Sequence, residues 1–305
     1  ENGCTEYLIN FENKKRIFPI HPSYKFILFI YQKGKKLGTI QNAIFNLADT
    51  DLLLEERFKN LELVNFDEEK LDKCGRTYLT LPEVNSQNEL SLTYKIYSSH
   101  PLLGENKQDN WNINFKRELD MTNDSDSFFT KDELIKSGGT HRSNNSIFLG
   151  DEEYIPLYEG RMVHQYDYAY KSYIDGHGRS AKWEILDYDN KKIVPHYYVS
   201  TSYLKQKNLS DNFRKPRAAF CDVTGQKNER TVLSTIIPKN NICGNKVPTC
   251  FFTPNDDIRL HLLWVGIANS FVVDWLVRQR MTTTLNYFHW QQIPFPRINP
   301  DTDVA

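Results

Sequence analysis

The apolar and polar positions of this chain predict many short strands and few helices. Residues 6–11, 24–31 and 39–47 each predict a strand. The second of these is nearly all apolar, which is typical of a strand covered on both faces. Weaker patterns predict further strands at 89–97, 154–158, 181–188, 195–199, 217–224, 231–237 and 247–252.

Two stretches predict helices by their ends and their spacing, and residues 202–207 predict a further short helix. Thr130 and Glu133 form a capping box, and Gly138 with Gly139 ends the helix that it begins. Residues 258–281 predict one long helix with a largely apolar surface. Together with the strands, this predicts an α+β (mixed α/β) chain with a small mixed sheet and one long C-terminal helix.

Composition along the chain suggests three parts. The segment 138–146 is rich in glycine and asparagine, as linkers are, and provides the best boundary. Residues 51–82 are rich in acids and predict a spacer on the surface. We therefore expect parts at residues 1–50, 51–150 and 151–305.

The stretch 154–170 combines a strand, a glycine and a run of polar donors. Gly160 breaks the apolar pattern and is expected to let the backbone turn tightly. Arg161, His164, Gln165 and Asp167 then alternate with apolar and aromatic residues. Such a segment holds hydrogen-bonding groups rigidly at a surface; the alternative is a corner whose tyrosines belong to the core.

Charge is unevenly distributed, although the net charge of the 305 residues is −1. Residues 191–246 hold 11 Lys and Arg against 3 Asp and Glu, a net +8, and residues 51–150 hold 12 against 18, a net −6. This pattern favours a footprint for a polyanion, or else an unevenly charged solvated surface.

Several classes of protein are disfavoured by what the sequence lacks. No apolar run approaches the roughly 20 residues that cross a bilayer, so no membrane association is expected. The five cysteines are scattered without a Cys-x-x-Cys pair, which favours reduced thiols in the cytoplasm and argues against a zinc site. No glycine-rich nucleotide turn, nuclease motif or nucleophile motif is present, so no catalytic residue, metal or cofactor is expected in this chain.

Residues 156–167, Pro-Leu-Tyr-Glu-Gly-Arg-Met-Val-His-Gln-Tyr-Asp, resemble the start of a target-recognition region. The family is that of Type IIG-like restriction–modification and phage-defence enzymes, which join an N6-adenine DNA methyltransferase to a specificity domain. Further segments resemble it in the same order: 17–30, 111–129, 222–231 and 267–296. One departure is Cys221, which stands where the family usually has Arg before Asp-Val.

The resemblance implies an arrangement of parts. Residues 1–50 would be the last strands of a class I methyltransferase-like sheet, 51–150 a connector, and 151–305 the DNA target-recognition domain. His21-Pro22-Ser23-Tyr24 lacks the Asn and the second Pro of the adenine-gripping motif and precedes its strand, so we reject it as catalytic. The chain begins with Glu1 rather than Met, which indicates a fragment or a renumbered piece. The resemblance implies that the S-adenosylmethionine site lies upstream of this chain.

The residues expected to contact double-stranded DNA form two groups with different chemistry. Arg, His and Gln can match base edges after Gly160, and Lys and Arg near strand ends can hold phosphates. The expected contacts are Arg161, His164, Gln165, Arg214, Lys215, Arg217, Lys227, Asn228 and Arg230. For Asn228 to Arg230, local pairing within the turn is the alternative.

Other partners are also expected. The upstream methyltransferase domain is one, and other defence-system subunits are a further candidate. The alternative function is a protein-interaction module, which an exposed apolar patch around Tyr197 and Tyr198 would favour.

Overall fold

A computed structural model of the chain describes residues 3–34, 39–105, 110–142, 145–209 and 213–296. Within these ranges the protein combines small antiparallel and mixed sheets with short helices, which confirms the predicted α+β class. The chain divides into two compact units. The first draws on residues 1–107, 275–282 and 288–297, and the second on 108–274, 283–287 and 298–305.

The first unit is built on a four-stranded sheet. Its strands are β1 (Gly3–Glu12), β2 (Lys25–Lys33), β3 (Ile40–Leu47) and β4 (Val64–Phe66), in the order β2-β1-β3-β4. β1 runs antiparallel to β2 and parallel to β3, and β3 runs antiparallel to β4. Leu8 and Ile9, neighbours on β1, belong to two different apolar clusters. Because successive side chains of a strand point to opposite faces, both faces of β1 are covered.

Strand β2 differs from its prediction. The five side chains from Ile27 to Tyr31 are 40–57% exposed. Successive side chains of a strand point to opposite faces, so the described residues fully cover neither face of β2, which lies at the edge of the sheet and pairs with β1 alone among the described strands. The expectation of a strand covered on both faces is therefore wrong for this structure. A long apolar edge strand of this kind is open to pairing with a further strand.

Three helices accompany this sheet: α1 (Glu55–Phe58), α2 (Glu68–Gly75) and α3 (Gln87–Ser99). The strand expected at 89–97 is wrong, since these residues lie in α3. Ser86 caps that helix, its Oγ accepting from the Glu89 amide at 3.1 Å. Leu90, Thr93 and Tyr97 are buried at helical spacing. Apolar residues between these buried positions give the sequence an alternation that resembles the pattern of a strand.

The second unit contains three separate groups of strands. They are β5 (Ile113–Lys116), β6 (Phe128–Phe129), β7 (Thr140–His141), β8 (Ile147–Leu149), β9 (Glu152–Tyr158), β10 (Lys171–Asp175), β11 (Lys182–Ile185), β12 (Tyr198–Ser200), β13 (Arg217–Phe220), β14 (Ser234–Ile237), β15 (Ile242–Cys243) and β16 (Thr249–Phe252). One sheet has the order β6-β12-β9-β8-β7, with β15 parallel to β9; a second has the order β14-β13-β16-β5; β10 and β11 form a hairpin.

The boundary expected at residue 150 falls inside the first of these sheets. β8 and β9 are adjacent strands in which Ile147 lies opposite Tyr154. The linker expected at 138–146 contributes β7, and its Ser143 and Asn144 lie outside the described residues. Gly and Asn mark tight connections within sheets as readily as linkers between domains. The boundary that composition predicted at residue 150 therefore lies about 40 residues after the point where the chain passes from the first unit to the second, at residues 107 and 108.

The remaining helices are α4 (Lys131–Lys136), α5 (Thr201–Gln206), α6 (Ile258–Ala268), α7 (Phe271–Arg278) and α8 (Tyr287–Gln291). The capping box of Thr130 and Glu133 at the start of α4 is confirmed. The single long helix expected at 258–281 is wrong, because α6 and α7 are bent by 65° at the break between them. Ser270 begins α7, its Oγ accepting from the Val273 amide at 3.2 Å.

Asn269 explains why the chain breaks there. Its side chain donates to the Ser234 carbonyl at 2.9 Å and accepts from the Ser234 amide at 3.1 Å, which ties the junction to β14. Across the described ranges, no single helix is long and apolar enough to cross a membrane; α6 and α7 pass that test only as a bent pair, by length and composition.

Candidate nucleic-acid interface

The segment that follows β9 forms a compact double turn. After the 3₁₀ turn Gly160–Met162, His164 and Asp167 exchange backbone hydrogen bonds of 3.0 and 3.2 Å. Tyr166, at the corner, has a φ of +57° and is 63% exposed, whereas Tyr158 is fully buried. The stretch thus supplies both a core tyrosine and a surface corner.

Gly160 serves a different purpose from the one expected. Its backbone is not in the left-handed region. A Cβ at this position would lie 3.1 Å from the Cys221 Sγ and 3.5 Å from the Lys246 carbonyl oxygen. Glycine is therefore suited to close approach between the loop and the strand end at Cys221, rather than to a special turn conformation.

Beside this contact lies a cavity of about 410 Å³ in the second unit. Its wall carries the basic side chains Arg161, Lys171 and Lys246, together with His164 and Glu159. Apolar and small residues, among them Val223 and Leu233, complete the lining. The cavity therefore collects two of the expected contact residues with two lysines that were not expected.

The three basic side chains of the cavity have no ion-pair partner within the described ranges of the chain. The Arg161 guanidinium lies 5.7 Å from the centre of the Trp183 ring, and the Lys171 ammonium lies 5.4 Å from that of Tyr170. Both contacts leave the charge available, since an aromatic face attracts a cation without neutralising it. A concentration of unpaired positive charge results.

Two further polar groups shape the wall. The half-buried His164 ring lies 4.3 Å from that of Tyr170, and burial lowers its pKa below the ordinary 6.5. The imidazole is therefore neutral at pH 7, with one donor and one acceptor nitrogen. The buried Glu159 Oε1 lies 3.6 Å from the His196 Nδ1, too far for a hydrogen bond, and among the described residues it has no hydrogen-bond partner.

Gln165 lies outside this cavity lining and is engaged elsewhere. With its amide oxygen turned toward Arg230, it accepts from the two terminal guanidinium nitrogens at 2.8 and 3.3 Å. Arg230 also donates to the Asn269 carbonyl at 2.6 Å, and its Nε lies 3.5 Å from the Asp274 carboxylate. Arg230 thus fastens the turn to the α6–α7 junction, rather than pairing with its neighbour Glu229.

Arg217 cannot contact a phosphate in this structure, because it is 1% exposed. Its guanidinium donates to the Glu118 carboxylate through Nε at 2.8 Å and Nη2 at 2.6 Å, and to the Asn241 carbonyl at 3.1 Å. This is a buried bidentate ion pair, the geometry in which Arg and a carboxylate match best. The expected DNA contact at Arg217 is thereby corrected to a core interaction.

The donor groups expected near strand ends lie at opposite ends of a strand pair, not together. Arg217 opposes Ile237 and Phe220 opposes Ser234, so β13 and β14 run antiparallel. The exposed Arg214 and Lys215 therefore lie at one end, near Asn240, whose amide donates to the Phe213 carbonyl at 2.6 Å. The exposed Lys227 and Asn228 belong to the turn at the other end, where the Asn228 amide donates to the Gly225 carbonyl at 3.1 Å.

Several relevant residues escaped the sequence argument. Lys171 directly follows the stretch 154–170 but lies outside the segments whose charges were counted, whereas Lys246 is the last residue of the basic segment. Arg117 forms an ion pair with the buried Asp222, a carboxylate 105 positions away in sequence. No local pattern indicates a pairing over such a distance.

The described part of the chain offers neither a metal site nor a reactive thiol. It contains no group of three or more metal-ligating side chains. All five cysteines are free and buried, and burial raises the pKa of Cys221 in the cavity lining to about 11. A thiol of that pKa stays protonated at pH 7 and is a poor nucleophile.

Comparison with known proteins adds little to these structural observations. No family model matches the chain, and no curated protein matches it. Among solved structures, one that matches is the type IIG restriction endonuclease BpuSI, at 15% sequence identity and a TM-score of 0.36. The match covers 97% of this chain and 37% of that one, so the chain spans little more than a third of that protein's length.

Proposed function

We propose that this chain is the DNA-binding specificity part of a site-specific adenine DNA methyltransferase of a restriction–modification or phage-defence system. The observation that carries the proposal is the cluster of Arg161, Lys171 and Lys246, which share one cavity wall and lack ion-pair partners in the described ranges. The resemblance of 156–167 to target-recognition regions supports the same assignment.

The chemistry of the cluster suits duplex DNA. Phosphates need only a positive donor, and the lysines supply that without discriminating between sequences. Arg161 can bind a guanine edge through two hydrogen bonds, and neutral His164 can donate or accept. Since Gln165 is held by Arg230, we assign base selection to Arg161 and His164 and a supporting role to Gln165.

The parent reaction would move a methyl group from S-adenosylmethionine to adenine N6 after base flipping, in the cytoplasm. On this proposal the catalytic and cofactor residues belong to an upstream methyltransferase domain. Titration of this chain with S-adenosylmethionine is expected to give no binding, and saturable micromolar binding would contradict this division of labour.

The exposed strand β2 supports such a neighbour. Its apolar side chains from Ile27 to Tyr31 are 40–57% exposed, and among the described strands it pairs with β1 alone. We assign that edge to contact with the upstream domain, which would add a strand. Amide hydrogen exchange at 25–33 should slow in the full-length parent relative to this chain, and equal rates would reject the contact.

The alternative, a protein-interaction module, loses its expected surface. Tyr198 is 4% exposed and Tyr197 is only partly exposed, so the described residues do not form the exposed apolar patch expected around them. One other observation favours it: Leu262, Phe271 and Val272 on α6 and α7 are 51–79% exposed. The salt dependence of binding separates the two functions, because only phosphate neutralisation releases condensed counterions.

The test is duplex binding by this chain across a salt series. Neutralising about 4 to 6 phosphates gives a log–log slope of roughly −4 to −5. Replacing Arg161, Lys171 and Lys246 together with Ala should make the slope shallower by about 3. The matched control replaces three exposed lysines outside the cavity lining, Lys131, Lys136 and Lys205.

The control triple variant carries the same charge change and should bind like the parent chain. A binding constant that is flat in salt would reject DNA as the partner. Equal losses in the two triple variants would mean that general charge, and not the cavity wall, holds the DNA.

A further inference from the structure

The cavity beside Gly160 is large enough for more than a surface contact. Its volume is about 410 Å³, whereas a water molecule occupies roughly 30 Å³ in the liquid. Cavities of roughly 300 Å³ or more are the usual size for small-molecule sites. A single nucleotide is a ligand of suitable size for such a space.

Charge in the cavity indicates one end of that ligand. Three cations without ion pairs in the described residues face a single carboxylate, Glu159. Arg161 and Lys246 are exposed and Lys171 is half-buried, and a cleft lined by charges of one sign concentrates counter-ions of the other sign. A phosphate matches, because Arg and Lys both donate to its oxygens.

The aromatic wall indicates the other end. His164 and Tyr170 lie against one another at a centroid distance of 4.3 Å, and both line the cavity. Flat bases bind to aromatic side chains by stacking, with little dependence on which base is present. Burial keeps His164 neutral, so its ring does not repel the positive neighbours.

Glu159 supplies a means of choosing the base. Its Oε1 is buried 3.6 Å from the His196 Nδ1, whereas the side chain as a whole is 20% exposed, so the carboxylate can meet a ligand in the cavity through its other oxygen. A carboxylate accepts from amino and imino hydrogens, and guanine presents two such donors side by side, N1–H and N2–H. Thymine presents one N–H between two carbonyl oxygens, which the carboxylate would repel.

We propose that this cavity binds one guanine nucleotide, with its phosphate on Lys171 and Lys246, its base against His164 and Tyr170, and its donor edge on Glu159. Two sources share this chemistry: a free nucleotide, or a single unstacked nucleotide of a bound strand. The strand source rests on the proposed DNA-binding function, whereas the free nucleotide does not.

The first experiment titrates this chain with guanosine and thymidine monophosphates. We expect saturable binding of the guanine nucleotide, at least tenfold tighter than that of thymidine. Val223→Trp, at a lining position that is 55% exposed, should weaken it tenfold or more by filling the space. Val272→Trp is the matched control, because Val272 is 51% exposed and lies outside the lining.

Glu159→Gln should reduce the preference for guanine over thymine below about threefold while leaving phosphate-dependent binding. The absence of saturable binding at millimolar nucleotide, or equal effects of the two tryptophan variants, would overturn the proposal. Equal binding of the two monophosphates would overturn the assigned role of Glu159.

The second experiment compares a fully paired duplex with one that carries a single bulged guanosine. Extruding a paired base costs a few kcal/mol, which a bulge avoids. If the strand is the source, the bulged duplex should bind about tenfold tighter than the paired one, and Val223→Trp should remove that gain whereas Val272→Trp should keep it. Paired-duplex binding without any gain from the bulge would reject the strand source and leave the proposed function standing.

Discussion

Two groups of cations in the second unit have opposite environments. Arg217 is buried and Arg230 largely so, and both lie beside a carboxylate, Glu118 for the first and Asp274 for the second. Arg161, Lys171 and Lys246 line a cavity and lack ion pairs in the described ranges. The first group stabilises the fold, and the second is available to a ligand.

The comparison shows why a charge count misleads. Residues 191–246 carry a net +8, and that total includes Arg217 and Arg230, whose charges are compensated inside the protein. Arg161 and Lys171 lie outside the counted segment, although they face the cavity. Net charge along a sequence therefore locates a basic region more reliably than it identifies the residues that bind an anion.

The largest effect should come from breaking the buried pair. Arg217→Met leaves the fully buried Glu118 carboxylate without its partner, which costs on the order of 3–5 kcal/mol of unfolding free energy. Arg161→Met, the exposed counterpart, should change the unfolding free energy by less than about 0.5 kcal/mol. Denaturant titration of this chain measures both.

A double variant separates lost charge pairing from lost packing. Glu118 also accepts from the Cys243 amide at 2.8 Å, so Glu118→Gln keeps an oxygen there while removing the charge. Combining it with Arg217→Met should recover roughly 2 kcal/mol of the loss, because no unpaired charge is then buried. If Arg217→Met cost no more than Arg161→Met, the distinction between the two groups would fail.

Local patterns predicted the fold where local interactions decide it. The capping box of Thr130 and Glu133 depends on near neighbours and is confirmed. The strands that became β1 and β3 pair with each other over about 35 positions, but their own apolar runs indicate them, and both are confirmed. The helix break at Asn269 depends on hydrogen bonds to Ser234, 35 positions away, and was missed. The exposed position of β2 depends on the order of strands in a sheet, which periodicity does not specify.

The candidate site was predicted only in part for the same reason. Arg161 and His164 were expected, and the structure brings them into one cavity with Lys171 and Lys246. The role of Gln165 was misjudged because its partner Arg230 approaches from another loop. Arg217 looked available because its partner Glu118 is 99 positions away. The residue types indicated which side chains can bind DNA. Whether each side chain is free to do so depends on contacts between segments that are distant in sequence.

A buried side chain that carries no charge, His289, contrasts with the buried charged arginines. Burial, assisted by the Arg280 charge, lowers the pKa of His289 in the first unit to about 4. The native chain therefore leaves this imidazole unprotonated at pH 5, whereas the unfolded chain, with a pKa of about 6.5, protonates it. The contribution of His289 to the unfolding free energy is therefore complete above pH 6.5, and it is lost as the pH falls from 6.5 to 4.

His289→Asn should therefore flatten the acid side of the stability profile. A pKa shift of that size corresponds to roughly 3 kcal/mol. Between pH 7 and pH 4.5 the unsubstituted chain should therefore lose about 2 kcal/mol more unfolding free energy than the His289→Asn variant. His100→Asn, at an exposed position of the same unit, is the control and should follow the parent profile. Identical profiles for all three proteins would show that His289 stays as easily protonated in the fold as outside it.

The smallest effect should be that of Lys215, an exposed cation at the end of β13 away from the turn at 225–228. As a point charge on a flexible stem, it can attract a phosphate but discriminates poorly between bases. Lys215→Ala should weaken binding to all duplexes about equally and make the log–log salt slope shallower by about 1, with an unfolding free energy within about 0.5 kcal/mol of the parent. Arg161→Ala is its counterpart at the cavity wall, and should cost about 1–3 kcal/mol at one base position and relax selection there. Selection over randomised duplexes by the full-length parent, carrying each substitution in turn, measures both outcomes. If Arg161→Ala left the selected sequence unchanged, as Lys215→Ala is expected to do, the cavity wall would hold DNA without choosing it, and the segment after Gly160 would be a scaffold.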